Sequence, residues 1–388
     1  MPAAQVSFMP MQGSDSGERI TRFLRETKAA EPDWRLGGCV RLPRASASYQ
    51  QQAANDRASY ADFVLADPET RLMHMPYANR GRGRRDYAYL QESDPYANRQ
   101  RFVDRVIEAQ VLNGRDLLIS PWLVVQGVGG TERELPATLE FARRTHLHPE
   151  AADRTVLTGF EATERVIADT GTRNHLLNEL VELPEAPLYL RMHVRTTSGP
   201  RQYAQPGALQ GLRELVERMA ENDRPVLLPQ AGLMGWVMLG FGAVSFGSGV
   251  QFSMQSSPEL VDGGGGGGGH APLHWYFLPE FLGFVLDTEL AGISNVPGFQ
   301  ACDCPYCQGQ GPGVGDNYDR ITAANHYLWW CAKLAAEVNG AAAANRATVI
   351  RDRLAAAKAF WEACQQNGVQ VDSRSEPSHL AAWTQVAA

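Results

Sequence analysis

Eight short apolar runs recur along the first two thirds of the chain, at residues 5–8, 39–42, 63–66, 117–120, 155–158, 188–192, 226–228 and 243–246. Runs of this length bounded by turn residues read as buried strands. Between them lie stretches with apolar residues at three- and four-residue spacings, such as 98–112, 132–145, 163–180 and 207–220, which read as amphipathic helices. Strands alternating with helices predict a parallel sheet. Eight of them predict an α/β fold of the (β/α)8 TIM-barrel type. A doubly wound open sheet is the alternative, but no Gly-x-Gly-x-x-Gly follows the first strand to support it.

With 388 residues, 44% of them hydrophobic, the chain can bury a large core, which excludes a disordered, collagen-like or small disulfide-scaffold protein. Its 36 Lys+Arg against 43 Asp+Glu leave a net charge of -7, which argues against a surface basic throughout but leaves room for a local basic patch. Residues 1–17 have neither a basic start nor an apolar run, so no secretory signal is read there and a cytoplasmic location is expected. Residues 225–258 carry no charged side chain and are long enough to span a bilayer. Pro229, Gln230 and several glycines and serines break them, so they read as two buried strands with a crossover helix rather than a membrane span.

The expected organisation is a barrel over residues 1–260, a glycine-rich loop over 261–272, a zinc-binding subdomain over 273–340, and a C-terminal helix and tail over 341–388. Seven consecutive glycines at 263–269 predict a flexible loop; no Lys-Ser/Thr pair follows, so it does not read as a phosphate cradle. Two helices, about 318–338 and 343–366, are expected to finish the fold, the second stopped by Gly368.

Three of six cysteines fall in Cys302-Asp-Cys304-Pro-Tyr-Cys307. Three thiolates so close together suit one metal ion better than disulfides in a reducing compartment. Tetrahedral zinc needs a fourth ligand, for which His326, early in the helix 318–338, is the first candidate and Cys331 the second. An iron–sulfur cluster is the alternative metal group. Four protein ligands leave no open position, so the zinc is expected to be structural.

Cys302, Cys304, Cys307 and His326 in this order, after a barrel pattern, resemble the tRNA-guanine transglycosylase superfamily, including its branch acting on 7-deazaguanine in DNA. The resemblance implies a (β/α)8 barrel with an appended zinc site and, as in many such enzymes, a homodimer. Gly242-Ala-Val-Ser-Phe-Gly-Ser looks like the family's strand that ends in a nucleophilic aspartate, and Gly247 stands where that aspartate would be. Base exchange through a carboxylate–ribose bond cannot use a glycine. The family's second aspartate is matched by Asp67, followed here by Pro68-Glu69-Thr70 in place of the family's Ser-Gly-Gly.

A barrel carries its function at the C-terminal ends of its strands. Those ends supply Asp67, Ser120 with Trp122, Glu161, Arg191 with His193, Gln230, and Ser245 with Ser248. Cleavage of an N-glycosidic bond needs a carboxylate to stabilise the sugar cation or activate water, and donors to hold the departing base. Asp67 is the first choice for the carboxylate and Glu161 the second, although Asp67 also suits an ordinary turn and Glu161 a helix start. Arg191, His193, Gln230, Ser245, Ser248 and Trp122 are the expected substrate contacts, the plain alternative being that Arg191 and His193 satisfy a structural carboxylate in the barrel interior and Gln230 bonds neighbouring loop backbone. Arg191 and His193 alternate with Leu190 and Met192 and therefore share one side of a strand. Phe160, Tyr203 and Trp275 join Trp122 as aromatic candidates for the mouth.

Residues 77–85 pack Arg80, Arg82, Arg84 and Arg85 together without an acid, and Tyr87 follows. Guanidinium groups neutralise phosphates and interleaved aromatics stack on bases, so this stretch is the candidate nucleic-acid contact; a solvated loop is the plain alternative. The leading expectation is a DNA glycosylase that hydrolyses the N-glycosidic bond of a modified base. The resemblance implies antiphage enzymes acting on hypermodified cytosine, such as glucosylated hydroxymethylcytosine in double-stranded DNA. A base-exchanging transglycosylase of tRNA or DNA, and a non-catalytic nucleic-acid-binding protein, are the other two readings.

Overall fold

The computed structural model describes residues 5–11, 17–41, 58–70, 95–112, 117–194, 202–249, 257–258, 275–307 and 320–388, and the architecture below is that of these residues. Its centre is a parallel sheet with six strands in the order β1 (Ser7–Pro10), β9 (Ala243–Ser248), β8 (Val226–Leu228), β7 (Leu188–Val194), β6 (Thr155–Thr163) and β4 (Leu117–Ile119). Short strands β5 (Val124–Val125) and β10 (Ser257–Pro258) add to β6 and β7. A second parallel pair, β2 (Gly37–Arg41) with β3 (Phe63–Asp67), is tied to β1 by bridges from Phe8 to Leu36 and from Met11 to Cys39. All eight expected runs are strands.

Helices α1 (Gly17–Ala30), α2 (Arg99–Val111) and α3 (Gly127–His146) precede β2, β4 and β6. Then α4 (Glu164–Ala168) and α5 (Thr170–Val181), α6 (Pro206–Glu221), and α7 (Gly232–Met238) lead into β7, β8 and β9. The single helix expected over 163–180 is two, because Asp169 leaves helical geometry and its carboxylate accepts the Thr172 N–H at 2.8 Å, capping α5. The uncharged stretch 225–258 holds β8, α7 and β9, and no helix among the described residues is long and apolar enough to cross a membrane.

The strands bury two faces. Met9, Cys39, Leu65, Ile119, Leu157, Tyr189, Leu227 and Val244 form one apolar cluster drawing a residue from each of eight parallel strands. The opposite faces, among them Phe8, Phe160, Leu190 and Phe246, pack under the helices. Phe160 therefore points away from the strand-end polar groups, contrary to expectation, because Gly159 and Glu161 flank it on a strand of period two.

After β9 the chain forms an antiparallel hairpin, β11 (Trp275–Leu278) with β12 (Gly283–Leu286), then α8 (Asp287–Ile293). Three helices follow: α9 (Arg320–Asn339), α10 (Arg346–Gln366) and α11 (His379–Ala387). The sequence reading missed the hairpin and α11; it took the segment after Gly368 for a tail. The stop itself is where it was expected: Gly368 has φ +70°, and Val369 N–H donates back to Cys364 O at 3.0 Å. One core cluster runs from Val6 through the sheet's helices to α9, α10 and α11, so the part that carries the cysteines and His326 packs on the parallel sheet without a break. Trp236 Nε1 donates to Leu334 O at 3.2 Å and Val6 N–H to Asn339 Oδ1 at 3.0 Å, pinning α9 against it.

Candidate active site and metal centre

Cys302, Cys304, Cys307 and His326 offer four ligand atoms within 4.8 Å of one another. His326 Nδ1 lies 3.5, 3.3 and 3.2 Å from the three sulfurs. A tetrahedral zinc with Zn–S and Zn–N bonds of ordinary length places such atoms about 3.5 Å apart. The donors therefore fit a zinc-sized ion. The hairpin orients the imidazole: Phe277 O accepts from Nε2 at 2.7 Å, which leaves Nδ1 for the metal, and Tyr276 stacks on the ring at 4.4 Å. Trp330 Nε1 donates to Cys302 Sγ at 3.3 Å, favouring a thiolate. Cys331, the second candidate for fourth ligand, is buried beneath Tyr327 and takes no part.

The strand ends gather a second polar cluster. Asp67 at the end of β3 accepts from Arg191 Nη2 and from Tyr189 OH at 2.9 Å, while its other oxygen accepts the Glu69 N–H at 2.9 Å. Arg191 Nη1 lies 3.6 Å from Glu69 Oε1. Burial, with the Glu69 carboxylate adding to it, holds Asp67 above the usual carboxylate range although Arg191 pulls it down. Two carboxylates thus share one guanidinium, and all three groups are fully buried. The local turn and the distant ion pair are both true of Asp67.

Glu161 on β6 forms the second half. Its Oε2 accepts from Trp122 Nε1 at 2.7 Å, and its Oε1 lies 2.7 Å from His193 Nε2 on β7. The register places Glu161 beside Arg191 and Thr163 beside His193, so β7 carries both Arg191, which pairs with Asp67 on the non-adjacent β3, and His193, which meets Glu161 on the neighbouring β6. Gly159 makes this possible: a Cβ there would sit 2.4 Å from the Trp122 ring and 2.3 Å from Ser120 O. Ser120 instead accepts the Gly159 N–H at 2.9 Å and supports the strand rather than the cluster.

Several buried atoms at this end have no hydrogen-bond partner among the described residues: Arg191 Nε, Gln230 Oε1 and Ser245 Oγ. Native interiors seldom leave such atoms unmatched. Gln230 also has φ +51° and Glu69 φ +50°, left-handed backbone at two non-glycine positions just past β8 and β3. Ser248 is elsewhere; its hydroxyl bonds Tyr327 OH at 2.8 Å on the helix side. Tyr203 bonds Glu164 and carries Trp383, and Trp275 lies under Arg374, so neither aromatic belongs to this cluster.

Gly247 shares the inner face with Ser245, since Phe246 between them packs on Phe8 in the helix-side core. A Cβ at 247 would lie 2.9 Å from Met11 Sδ and 3.2 Å from Met9 Cε. The atoms nearest to that position are methionine atoms, not carboxylate oxygens. Arg80, Arg82, Arg84, Arg85 and Tyr87, like the glycine run at 263–269, lie outside the described residues.

The sequence reading passed over Tyr189, Glu69 and Thr70. Tyr189 was accessible from period two, since it shares a face with Arg191 and His193; Thr70, which exchanges bonds with Trp122 N (3.0 Å) and Trp122 O (2.8 Å), carried no signal. No family model matches the chain, and no curated protein matches it.

Proposed function

We propose that the chain is a metal-stapled (β/α)8 barrel that hydrolyses the N-glycosidic bond of a modified base in DNA. The single observation that carries the reading is the strand-end cluster: a carboxylate–guanidinium pair and a carboxylate–imidazole pair beside buried hydrogen-bonding atoms that lack partners among the described residues. Closure of the barrel is supported by the eight-strand inner cluster, by the bridges from β1 to β2, and by the Thr70–Trp122 exchange between the ends of β3 and β4.

Roles divide by what each group already holds. Asp67 is occupied by Arg191, Tyr189 and the Glu69 amide, so it positions the guanidinium. Glu161, held by Trp122 Nε1 and 2.7 Å from His193 Nε2, is the carboxylate proposed for proton transfer: it takes a proton from water as the water oxygen bonds the sugar carbon, and His193 delivers one to the departing base. Water plus base–sugar then gives free base plus a sugar hydroxyl, with no covalent enzyme bond, in keeping with Gly247. Arg191 Nε, Gln230 and Ser245, whose polar atoms lack partners among the described residues, are the groups proposed to hydrogen-bond the base. The base must leave the helical stack to reach this buried ring, and whatever covers the ring must move.

The resemblance and the cysteine–histidine pattern support hypermodified cytosine, such as glucosylated hydroxymethylcytosine in phage DNA, as the substrate. Incubating the protein with such DNA and scoring alkali-labile strand breaks tests this. Breaks are expected with modified DNA and not with plain DNA, and Glu161→Gln is expected to slow them at least about 100-fold, the usual worth of a general base. Intact strands with tRNA, plain DNA and modified DNA alike would remove the reading. Incorporation of labelled free base without strand lability would replace hydrolysis by exchange.

A further inference from the structure

Beside the metal centre, and lined in part by Cys302 itself, a cavity of about 320 Å³ opens between α9 and α10. Its size is at the small end of ligand pockets, enough for one small molecule and too little for a polymer. Apolar walls come from Trp330, Phe360 and Ala357. Two polar groups on its lining are half-buried and incompletely matched. Glu280 Oε2 and Arg353 Nε are each buried from solvent with no hydrogen-bond partner among the described residues. The other Glu280 oxygen is held by the Gln300 N–H at 3.4 Å, and the Arg353 guanidinium lies 5.6 Å over the Trp330 ring, so both groups are anchored.

The two atoms have opposite hydrogen-bonding sense. A carboxylate oxygen accepts; a guanidinium Nε donates. A guest that satisfies both presents an N–H and an acceptor, as an amide edge does, and the aromatic walls favour a flat one. Charge narrows the choice further. Lys333 and Arg353 face Glu280, Asp303 and Glu337 around the cavity, so a phosphate meets three carboxylates and an ammonium meets two cations. We propose that this cavity binds a neutral nucleobase or nucleoside by its amide edge, between Glu280 and Arg353. The site is separate from the strand-end cluster and does not depend on its reading. Trp330 joins the cavity to the metal centre through its bond to Cys302, so occupancy touches a metal ligand directly.

Calorimetry and saturation-transfer NMR on the metal-loaded full chain provide the test, with cytosine, cytidine, guanosine, cytidine monophosphate and N-acetylglycine amide as probes. Nucleosides are expected to bind, the monophosphate more weakly. Glu280→Ala and Arg353→Met are each expected to weaken nucleoside binding at least tenfold, whereas His193→Ala leaves it unchanged. Arg353 is partly exposed, so its variant is expected to fold, and a thermal melt verifies this for both. The proposal is overturned if no base or nucleoside binds, if both cavity variants bind as the parent does, or if the peptide amide binds as tightly as the nucleosides. Loss of binding in His193→Ala alone would assign the ligand to the strand-end ring and overturn it equally.

Discussion

The metal centre and the strand-end ring are both buried sets of polar side chains, and they differ in how fully their atoms are matched. In the first, His326 uses one nitrogen on the sulfurs and the other on Phe277 O, and Cys302 receives an indole N–H. Nothing is left over, which suits a structural staple. In the second, Arg191 Nε, Gln230 Oε1 and Ser245 Oγ have no partner among the described residues, and two neighbouring backbones are left-handed. A fully matched set suits support, and an incompletely matched one suits the binding role proposed for the strand ends.

The largest effect that can break this contrast is loss of metal. Cys307→Ser, or chelation, should remove the bound ion and uncouple the hairpin from α9, because structural zinc sites contribute on the order of 10 kcal/mol to the folded form. Metal analysis should return one ion per chain for the parent, and hydrogen exchange should show the loss spreading from 275–307 into α9. Full stability of the stripped protein would show that the four donors are not a staple.

Next comes the ring. Arg191→Met leaves Asp67 and Glu69 buried without their cation, and breaking a buried ion pair from one side costs about 3–5 kcal/mol. Asp67→Asn combined with Arg191→Met should cost less than the sum of the single changes, read from denaturant midpoints. Additive costs would mean the pair is not the unit described.

Gly247→Ala sharpens the argument about the nucleophile. A Cβ 2.9 Å from Met11 Sδ overpacks the inner face, with an expected cost of about 1–3 kcal/mol, reduced by Met11→Ala in the same chain. If the single change is neutral, room for a side chain exists there and the absence of a carboxylate was not enforced by packing.

The smallest effect is a control on unmatched atoms. His379 Nε2 also lacks a partner among the described residues, yet it sits in the core against Trp383. Burial pushes this imidazole down to about 3. Its folded form stays neutral while the unfolded form takes up a proton below about pH 6.5, so stability falls as pH drops through that range. Between pH 7 and 5 the loss is about 2 kcal/mol, and His379→Gln should flatten it by that amount in urea titrations. An unchanged slope would mean the imidazole is already charged or exposed.

Much of this contrast could be seen in the chain itself. Eight apolar runs became eight strands, with ends within a few residues, because a buried parallel strand needs a continuous apolar run whatever surrounds it. The four metal donors were legible for a similar reason: three of them sit within one short loop, and chain geometry forces them together. The weak points were the hairpin and α11, whose apolar residues fit strand, helix or tail until they meet the core.

The amino-acid order alone therefore determined which segments form the eight parallel strands and most of the helices, and which side chains can hold a metal. Only the fold decided that Arg191 pairs with Asp67, 124 positions away, that His193 meets Glu161, and that Ser248 turns to Tyr327 instead of the ring. Periodicity and loop spacing are properties of neighbours along the chain. Which buried acid faces which buried base depends on the register between strands far apart in sequence, and that register is set by packing of the whole sheet.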